Sequence, residues 1–280
     1  MAKQKNKIKR EPFDIISNFF VLLFAILSLF PLYWLVTSSF KNSADVVKMP
    51  PDWFPKTFSF SNYVEVFNNQ PALRWAFNSL TVALVSTFAL IIVSSLAAYA
   101  FSKLHFKGKN IIFIIFVSSL MIPKEVMIVP LFRLIQQFGW VNDLNGMIWP
   151  NVATAFGVFL LKGFFDTIPD SMREAARIDG AGEFRTFFQI MLPVVKPGIG
   201  ALFILNFVQV WNDYLWQLVV GQETNSKTLM VGIATLMQDL NPNFAYKMAG
   251  ATVAAIPMLI IFLAFQQYFT RGITIGAVKE

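Results

Sequence analysis

Residues 15–36 read IISNFFVLLFAILSLFPLYWLV, a run of 22 positions without one Asp, Glu, Lys or Arg. A helix at the surface of a soluble protein keeps a polar face along its whole course, so a stretch with no such face needs apolar surroundings on every side. Twenty residues of helix rise about 30 Å, the thickness of the hydrocarbon layer of a bilayer, and this run is long enough to cross it. Lys3, Lys5, Lys7, Lys9 and Arg10 precede the run, as they would in a secretory signal. The apolar core of such a signal, however, spans only about 7–15 residues and ends at a cleavage site. This one is longer and ends on Thr37, Ser38 and Ser39, which marks a retained first spanning helix.

The rest of the chain has the same character. Of its 280 residues, 56% are hydrophobic and 14% charged, far more apolar surface than one soluble domain of this length buries. Apolar windows of about 20 residues fall at 15–36, 77–100, 111–134, 147–165, 198–220 and 248–269, which predicts an all-α membrane protein with six transmembrane helices. An even number of crossings puts both termini on one side. With the amino terminus inside, the inner segments carry fifteen of the 23 Lys and Arg residues and the outer segments seven, the bias that holds basic loops in the cytoplasm. The organisation is then a basic cytoplasmic start (1–14), a membrane domain (15–270) containing a cytoplasmic connection at 166–197, and a cytoplasmic tail (271–280).

The same composition excludes several classes of function. The net charge of +7 is explained by the inner-side bias and does not call for nucleic acid. With no cysteine and a single histidine, His105, the chain offers no disulfide scaffold, no thiolate nucleophile and no histidine pair for a metal. No catalytic or metal-ligating residue is expected.

Polar groups inside a span are costly, so each requires a partner, water or a function. Asn206, Gln209, Asp213 and Gln217 are spaced 3, 4 and 4 apart, which predicts one polar face on the fifth span, with Trp211 and Trp216 beside it. Aromatic faces suit sugar rings, and amides and carboxylates suit hydroxyls. A stripe that joins this helix to its neighbours is the other reading of the same residues. In the third span, Lys124 and Glu125 follow Pro123, which predicts a kinked helix with two charges at a cavity or a helix end.

The 166–197 connection reads as two short helices. The first starts at Asp170 or Ser171 and stops at Gly180; the second runs from about Glu183 to Met191, with Phe184, Phe187, Phe188 and Met191 on one apolar face. The pattern fits either a compact knob or an amphipathic helix lying on the membrane.

Within that connection, EAARIDGAGEFRTFFQIMLP (174–193) resembles the EAA loop of permease subunits of binding-protein-dependent ABC importers. That loop has EAA, three residues, Gly, nine residues and Ile-x-Leu-Pro, and Glu174, Ala175, Ala176, Gly180, Ile190, Leu192 and Pro193 occupy all of those positions. Phe77-Asn78-Ser79-Leu80, Ala98-Tyr99-Ala100-Phe101-Ser102-Lys103-Leu104, Trp211-Asn212-Asp213 and Gly272-Ile273-Thr274-Ile275-Gly276-Ala277-Val278-Lys279 are similar to the maltose-type, carbohydrate-uptake branch. The resemblance implies a type I ABC importer permease fold and a role as the translocating subunit for a sugar or oligosaccharide. It implies as partners a second, homologous permease in a heterodimer, two ATPase subunits that hold ATP and Mg, and an extracellular solute-binding protein. The chain itself would bind no cofactor; it has no GxxxxGK[ST] sequence. Glu174, Ala175, Ala176, Asp179, Gly180, Ile190, Leu192 and Pro193 would then couple the chain to an ATPase. Asn206, Gln209, Asp213, Trp216, Gln217, Lys124 and Glu125 would belong to the substrate pathway.

Three rival readings remain beside it. A secondary transporter would show inverted repeats and Gly-interrupted spans, a membrane-embedded enzyme would need a nucleophile–base or metal constellation, and an importer permease of the same kind could carry a cargo other than sugar. The six-span arrangement makes a direct prediction: a reporter fused after Glu280 reads as cytoplasmic and one fused within 40–75 reads as external. The reverse pattern in an alkaline phosphatase and fluorescent-protein fusion series overturns it.

Overall fold

The computed structural model describes residues 12–238 and 243–277, all helix and connection. Lys3 to Arg10 of the basic start, and residues 278–280 of the tail, lie outside the described residues. In chain order the helices are α1 (Pro12–Ser39), α2 (Ser43–Val46), α3 (Ser61–Asn69), α4 (Ala72–Lys103), α5 (Lys109–Ser118), α6 (Ile128–Gln137), α7 (Leu144–Ile148) and α8 (Ala155–Asp166). There follow α9 (Asp170–Ile178), α10 (Glu183–Arg185), α11 (Leu192–Val194), α12 (Lys196–Trp211), α13 (Leu215–Val220), α14 (Leu229–Gln238) and α15 (Phe244–Ala277).

Among the described residues, three continuous helices are long and apolar enough to cross a bilayer: Ile16–Ser39, Ala72–Lys103 and Phe244–Gln266. Three more crossings are possible as bent pairs, at 109–137, 144–166 and 183–211, so the count of six stands if each pair is one span. The third crossing is kinked at Pro123 as expected, whereas 147–165 and 198–220 depart from the continuous helices expected there. The window 111–134 is broken by 93°. Its cause is Pro123, whose ring pushes the preceding residue out of the helical region, and Ile122 is extended at φ −91°, ψ 115°. The window 147–165 bends by 41° between residues 151 and 155. The window 198–220 is a helix only as far as Trp211; Asn212 to Tyr214 interrupt it before α13.

The contacts divide the chain into two compact units. The first comprises residues 12–69 and 243–253. In it, α1 is exposed on all sides between Ile16 and Phe30, so its surroundings are lipid or another chain. Its end is closed by side chains: Asn62 Nδ2 donates to the carbonyls of Ser39 and Lys41, both at 2.9 Å, satisfying groups that a helix terminus leaves without a partner. Lys41, 1% exposed, donates to Asp52 O at 2.6 Å and lies 4.2 Å over the Trp34 ring. The connection from Phe40 to Pro71 holds two helices, α2 and α3, and an aromatic cluster of Phe40 with Phe58, Phe60 and Tyr63.

In the second unit, residues 70–238 and 254–277, α4 is the organising element. Its buried face runs through Ser79, Ala83, Ser86, Thr87, Leu90, Ser94 and Ala98, all small but Leu90 and at helical spacing, which lets α8 and α12 approach closely. Gly157 on α8 sits where a Cβ would lie 2.5 Å from Ser94 Oγ. The core there joins Leu90, Ala98 and Tyr99 to Val158, Leu161, Phe165, Phe187, Met191 and Leu202.

The stretch after α13, which the span count leaves as a plain link, contains α14, an apolar helix of 10 residues. It is buried through Leu229, Val231, Gly232, Ile233 and Leu236. The turns before it are fastened to α4. Trp75 Nε1 donates to Thr224 O at 2.7 Å, Asn78 Nδ2 donates to the carbonyls of Asn225 and Lys227 at 2.9 Å, and Ser79 Oγ accepts from Leu229 N at 2.8 Å. The Asn78-Ser79 pair therefore answers the polar backbone of an irregular segment and fixes it to α4.

A Cβ added at Gly232 would fall 2.1 Å from a Trp75 ring carbon, and the ring is held by its hydrogen bond. Gly232→Ala is expected to lose about 1–3 kcal/mol by overpacking. It should lower the apparent melting temperature of the detergent-solubilised protein, whereas Gly163→Ala, with open space around it, should not.

Candidate functional site

Two regions of the second unit gather the candidate residues. The first is a cavity of about 550 Å³ walled by residues 119–131, 150–151 and 209–216. Pro123 creates one wall. By ending the first half of the crossing and restarting the chain in a 3₁₀ turn at Lys124–Met127, it places Lys124 and Glu125 at the lip, both exposed. The break after Trp211 creates the opposite wall, with Gln209, Asn212, Asp213, Tyr214 and Trp216. Asp213 Oδ1 accepts from Trp216 N at 3.3 Å, and Trp216 Nε1 donates to Gly146 O at 3.2 Å, so this short connection is held in shape.

Five of the seven pathway candidates thus line one space: Lys124, Glu125, Gln209, Asp213 and Trp216. Asn206 and Gln217 do not. Asn206 is 6% exposed and donates to Thr87 Oγ1 at 2.9 Å, joining α12 to α4. Gln217 is 2% exposed and donates to Val210 O at 2.7 Å, closing the gap between α12 and α13. The expected single polar face does not form, because the helix stops at Trp211 and residues beyond it no longer follow its turn. Trp211 is buried and stacked on Phe207, a packing residue. Ser119, Asn151 and Tyr214 join the wall without having been singled out, and Asn212 joins it having been quoted only within the family-like Trp211-Asn212-Asp213. Only Asn212 gave a signal, as the first polar residue after an apolar helix.

The second region is the 166–197 connection. As expected, α9 begins at Asp170, and Gly180 adopts φ +78°, a conformation that costs little only for glycine. The two sides of α9 differ. Ala176 is its one buried residue, while Glu174, Ala175 and Ile178 are exposed, Ile178 by 86%. Asp179 is exposed at the helix end.

The second helix is not the regular one expected. Thr186–Met191 is a π-helix, followed by α11, in which Pro193 has no N–H to return to the preceding turn. The wider turn separates the aromatic residues: Phe187 and Met191 are buried, whereas Phe184 and Phe188 are exposed by 75% and 56%. The single apolar face splits into an inner and an outer set. Ile190 and Leu192 are half-buried, and Pro193 is exposed.

Polar contacts hold α9 against the rest of the unit. Arg173 grips both oxygens of Glu183, at 2.5 Å from Nη2 to Oε1 and 3.2 Å from Nε to Oε2, and the Tyr99 hydroxyl donates to Oε2 at 2.8 Å. Lys103 pairs with Asp170 Oδ1 at 2.8 Å. The Arg173 guanidinium holds the Glu183 carboxyl below the usual carboxylate range, and Lys103 does the same to Asp170. Each carboxylate therefore stabilises the fold above its unfolded pKa, about 4, and that contribution fades only as pH falls through the lowered folded value.

Residues 90–275 match the family described as binding-protein-dependent transport system inner membrane component. Over 270 residues the chain is 35% identical to the arabinooligosaccharides transport system permease protein AraQ of Bacillus subtilis (strain 168), covering 95% of this chain and 96% of that protein. It is 32% identical to the lactose transport system permease protein LacG of Rhizobium radiobacter, covering 97% and 98%. In fold it resembles a chain of a bacterial ABC transporter involved in the import of the acidic polysaccharide alginate, with a TM-score of 0.81 at 23% identity over 92% of this chain and 96% of that one. A family match across two thirds of the chain, with relatives above 30% identity over nearly all of it, establishes that this multi-pass membrane protein belongs to the inner membrane components of binding-protein-dependent transport systems.

Proposed function

We propose that this chain is the permease subunit of an ABC importer that carries a sugar or oligosaccharide across the cytoplasmic membrane. An extracellular binding protein delivers the cargo, and a second permease completes the pathway. Two ATPase subunits holding ATP and Mg supply the energy, and the chain itself hydrolyses nothing. Both termini and the 166–197 connection face the cytoplasm, in keeping with the distribution of basic residues.

The observation that carries this reading is the two-sidedness of that connection. Its inner face is bound to the unit by Arg173, Ala176, Phe187 and Met191, while Glu174, Ala175, Ile178 and Phe184 are left exposed. Exposed apolar residues beside a carboxylate on a fixed helix suit a protein partner better than a membrane surface, where an acidic group would meet anionic headgroups. Ala175 has the small side chain that close docking needs, Gly180 and Asp179 end the helix, and Ile190, Leu192 and Pro193 shape the second element. The relatives support the cargo class, since AraQ is named for arabinooligosaccharides and LacG for lactose. The cavity supports it too: Gln209, Asp213, Lys124 and Glu125 offer donors and acceptors for hydroxyls, with Tyr214 and Trp216 beside them.

Two outcomes follow. Glu174→Ala removes a charge-assisted contact worth about 1.5–3 kcal/mol once a partner shields it from water, and uptake should fall at least tenfold while the protein still reaches the membrane. Gly180→Val should act similarly, since valine is strained at a positive φ. Uptake assayed beside co-purification of the ATPase checks both, and wild-type uptake in Glu174→Ala rejects the coupling role. Asp213→Asn and Gln209→Ala should lower uptake with assembly intact, whereas loss of assembly would make these residues structural.

A further inference from the structure

We propose that Tyr99, Lys103, Arg173 and Glu183 form a bracket of positioning residues that makes α9 move as one body with α4, so that a displacement of the connection reaches that span directly. The inference rests on the docking role given above to the outer face of α9.

The argument begins with what does not hold α9 in place. Only Ala176 of its nine residues is buried, too little apolar contact to fix a short helix against a neighbour. Its covalent attachments are residues 167–169 before it and residues 179–182 after it, the second containing Gly180 and Gly182. Left to these, α9 would swing on its ends when pushed. Hydrogen bonds must therefore supply the rigidity.

They do so at two points that share one origin. Tyr99 and Lys103 are four residues apart, so they lie one turn apart on the same face of α4. Tyr99, 5% exposed in the core, donates to Glu183, which also accepts from Nε and Nη2 of Arg173. Lys103, 6% exposed, donates to Ile168 O and Asp170 Oδ1. Asp170 and Arg173 are three residues apart and so share a face of α9, turned to the span, while Glu174 and Ile178 remain exposed. Two attachments a turn apart prevent both sliding and rotation, which one would not.

An ordinary surface ion pair would have little such effect, because water screens it and two long side chains must be ordered to make it. These pairs are sheltered on the cationic side: the Lys103 side chain is 5% exposed and that of Arg173 16%. Removing a carboxylate would leave a sheltered cation without its counter-charge, which is a far larger penalty than losing a surface contact.

The test uses the assembled transporter of this permease, its partner permease and its ATPase subunits. The chain has no cysteine, so in a complex whose other subunits have had theirs replaced, nitroxides on Leu96→Cys and Ser171→Cys, both away from the proposed docking residues, report the α4–α9 distance. In the otherwise native protein that distance should stay the same, with the same narrow spread, in nucleotide-free and ATP-bound states. Glu183→Gln should broaden it and cut binding-protein-stimulated ATP hydrolysis about tenfold, as loss of a charge-assisted hydrogen bond predicts. The exchanged pair, Arg173→Glu with Glu183→Arg, should restore both readouts, which a generally damaged fold would not. Tyr99→Phe, which removes one hydroxyl and keeps the ring in the core, should give a smaller loss of about threefold. A distance that changes between nucleotide states in the otherwise native protein, or native values of both readouts in Tyr99→Phe, overturns the bracket. If Glu183→Gln does not accumulate, Tyr99→Phe alone decides. Glu174→Ala is assayed in parallel. Native stimulation there rejects the docking role itself, whereas lost stimulation there with a normal Glu183→Gln rejects the bracket alone.

Discussion

A backbone in lipid has no water to bond to, and the rest of this structure follows from how each N–H and C=O is satisfied from within. Long helices meet the requirement by themselves, and α1, α4 and α15 do so. Every interruption needs side chains instead. Asn62 takes the end of α1, Trp75 and Asn78 take the carbonyls of residues 224–227, Gln217 takes Val210, and Trp216 takes Gly146. Buried Asn, Gln and Trp are thus mostly the supports of broken helices, which explains why they occur in spans at all.

The breaks themselves give the molecule its usable space. A continuous helix through residues 111–134 would have presented Lys124 and Glu125 about 100° apart on a cylinder. The 93° turn at Pro123 instead brings both to the edge of a cavity whose other wall is the interruption after Trp211. Irregular backbone lining a cavity is the arrangement that a bilayer tolerates, because the cavity admits the water that lipid excludes. Beside the cavity, α4 uses Ser, Thr and Ala to let α8 and α12 pack closely against it.

The 166–197 connection applies the same logic with charge in place of amides. Its inner side is tied to α4 by Glu183, Arg173, Asp170 and Lys103, and its outer side is exposed. The connection thus has one side fixed and another that exposes the Glu174 carboxylate, the small Ala175 and the large apolar Ile178 and Phe184, the surface on which the proposed coupling role rests. The π-turn at Thr186–Met191 contributes by separating Phe184 and Phe188 from Phe187 and Met191, so that neighbouring aromatic residues serve opposite sides.

Much of this was legible in the sequence for reasons that are local. Six apolar windows, the EAA spacing from Glu174 to Pro193, the start of α9 at Asp170 and the left-handed Gly180 depend on composition and on neighbours within one turn, and a linear reading captures those. What failed depended on contacts between distant segments. The polar spacing of Asn206, Gln209, Asp213 and Gln217 promised one face, but periodicity holds only while the helix continues, and it stops at Trp211. Whether Asn206 faces a cavity or Thr87 is set by α4, 119 residues away in the chain. The burial of α14 against Trp75, the meeting of Lys124 and Glu125 with Asp213 across one space, and the grip of Tyr99 and Lys103 on the connection were likewise decided only by tertiary structure. The sequence by itself determined which segments are apolar enough to be candidate spans, because hydropathy is a sum over residues. Which polar groups face each other there was settled by packing, because a hydrogen bond needs two partners whose meeting no single segment encodes.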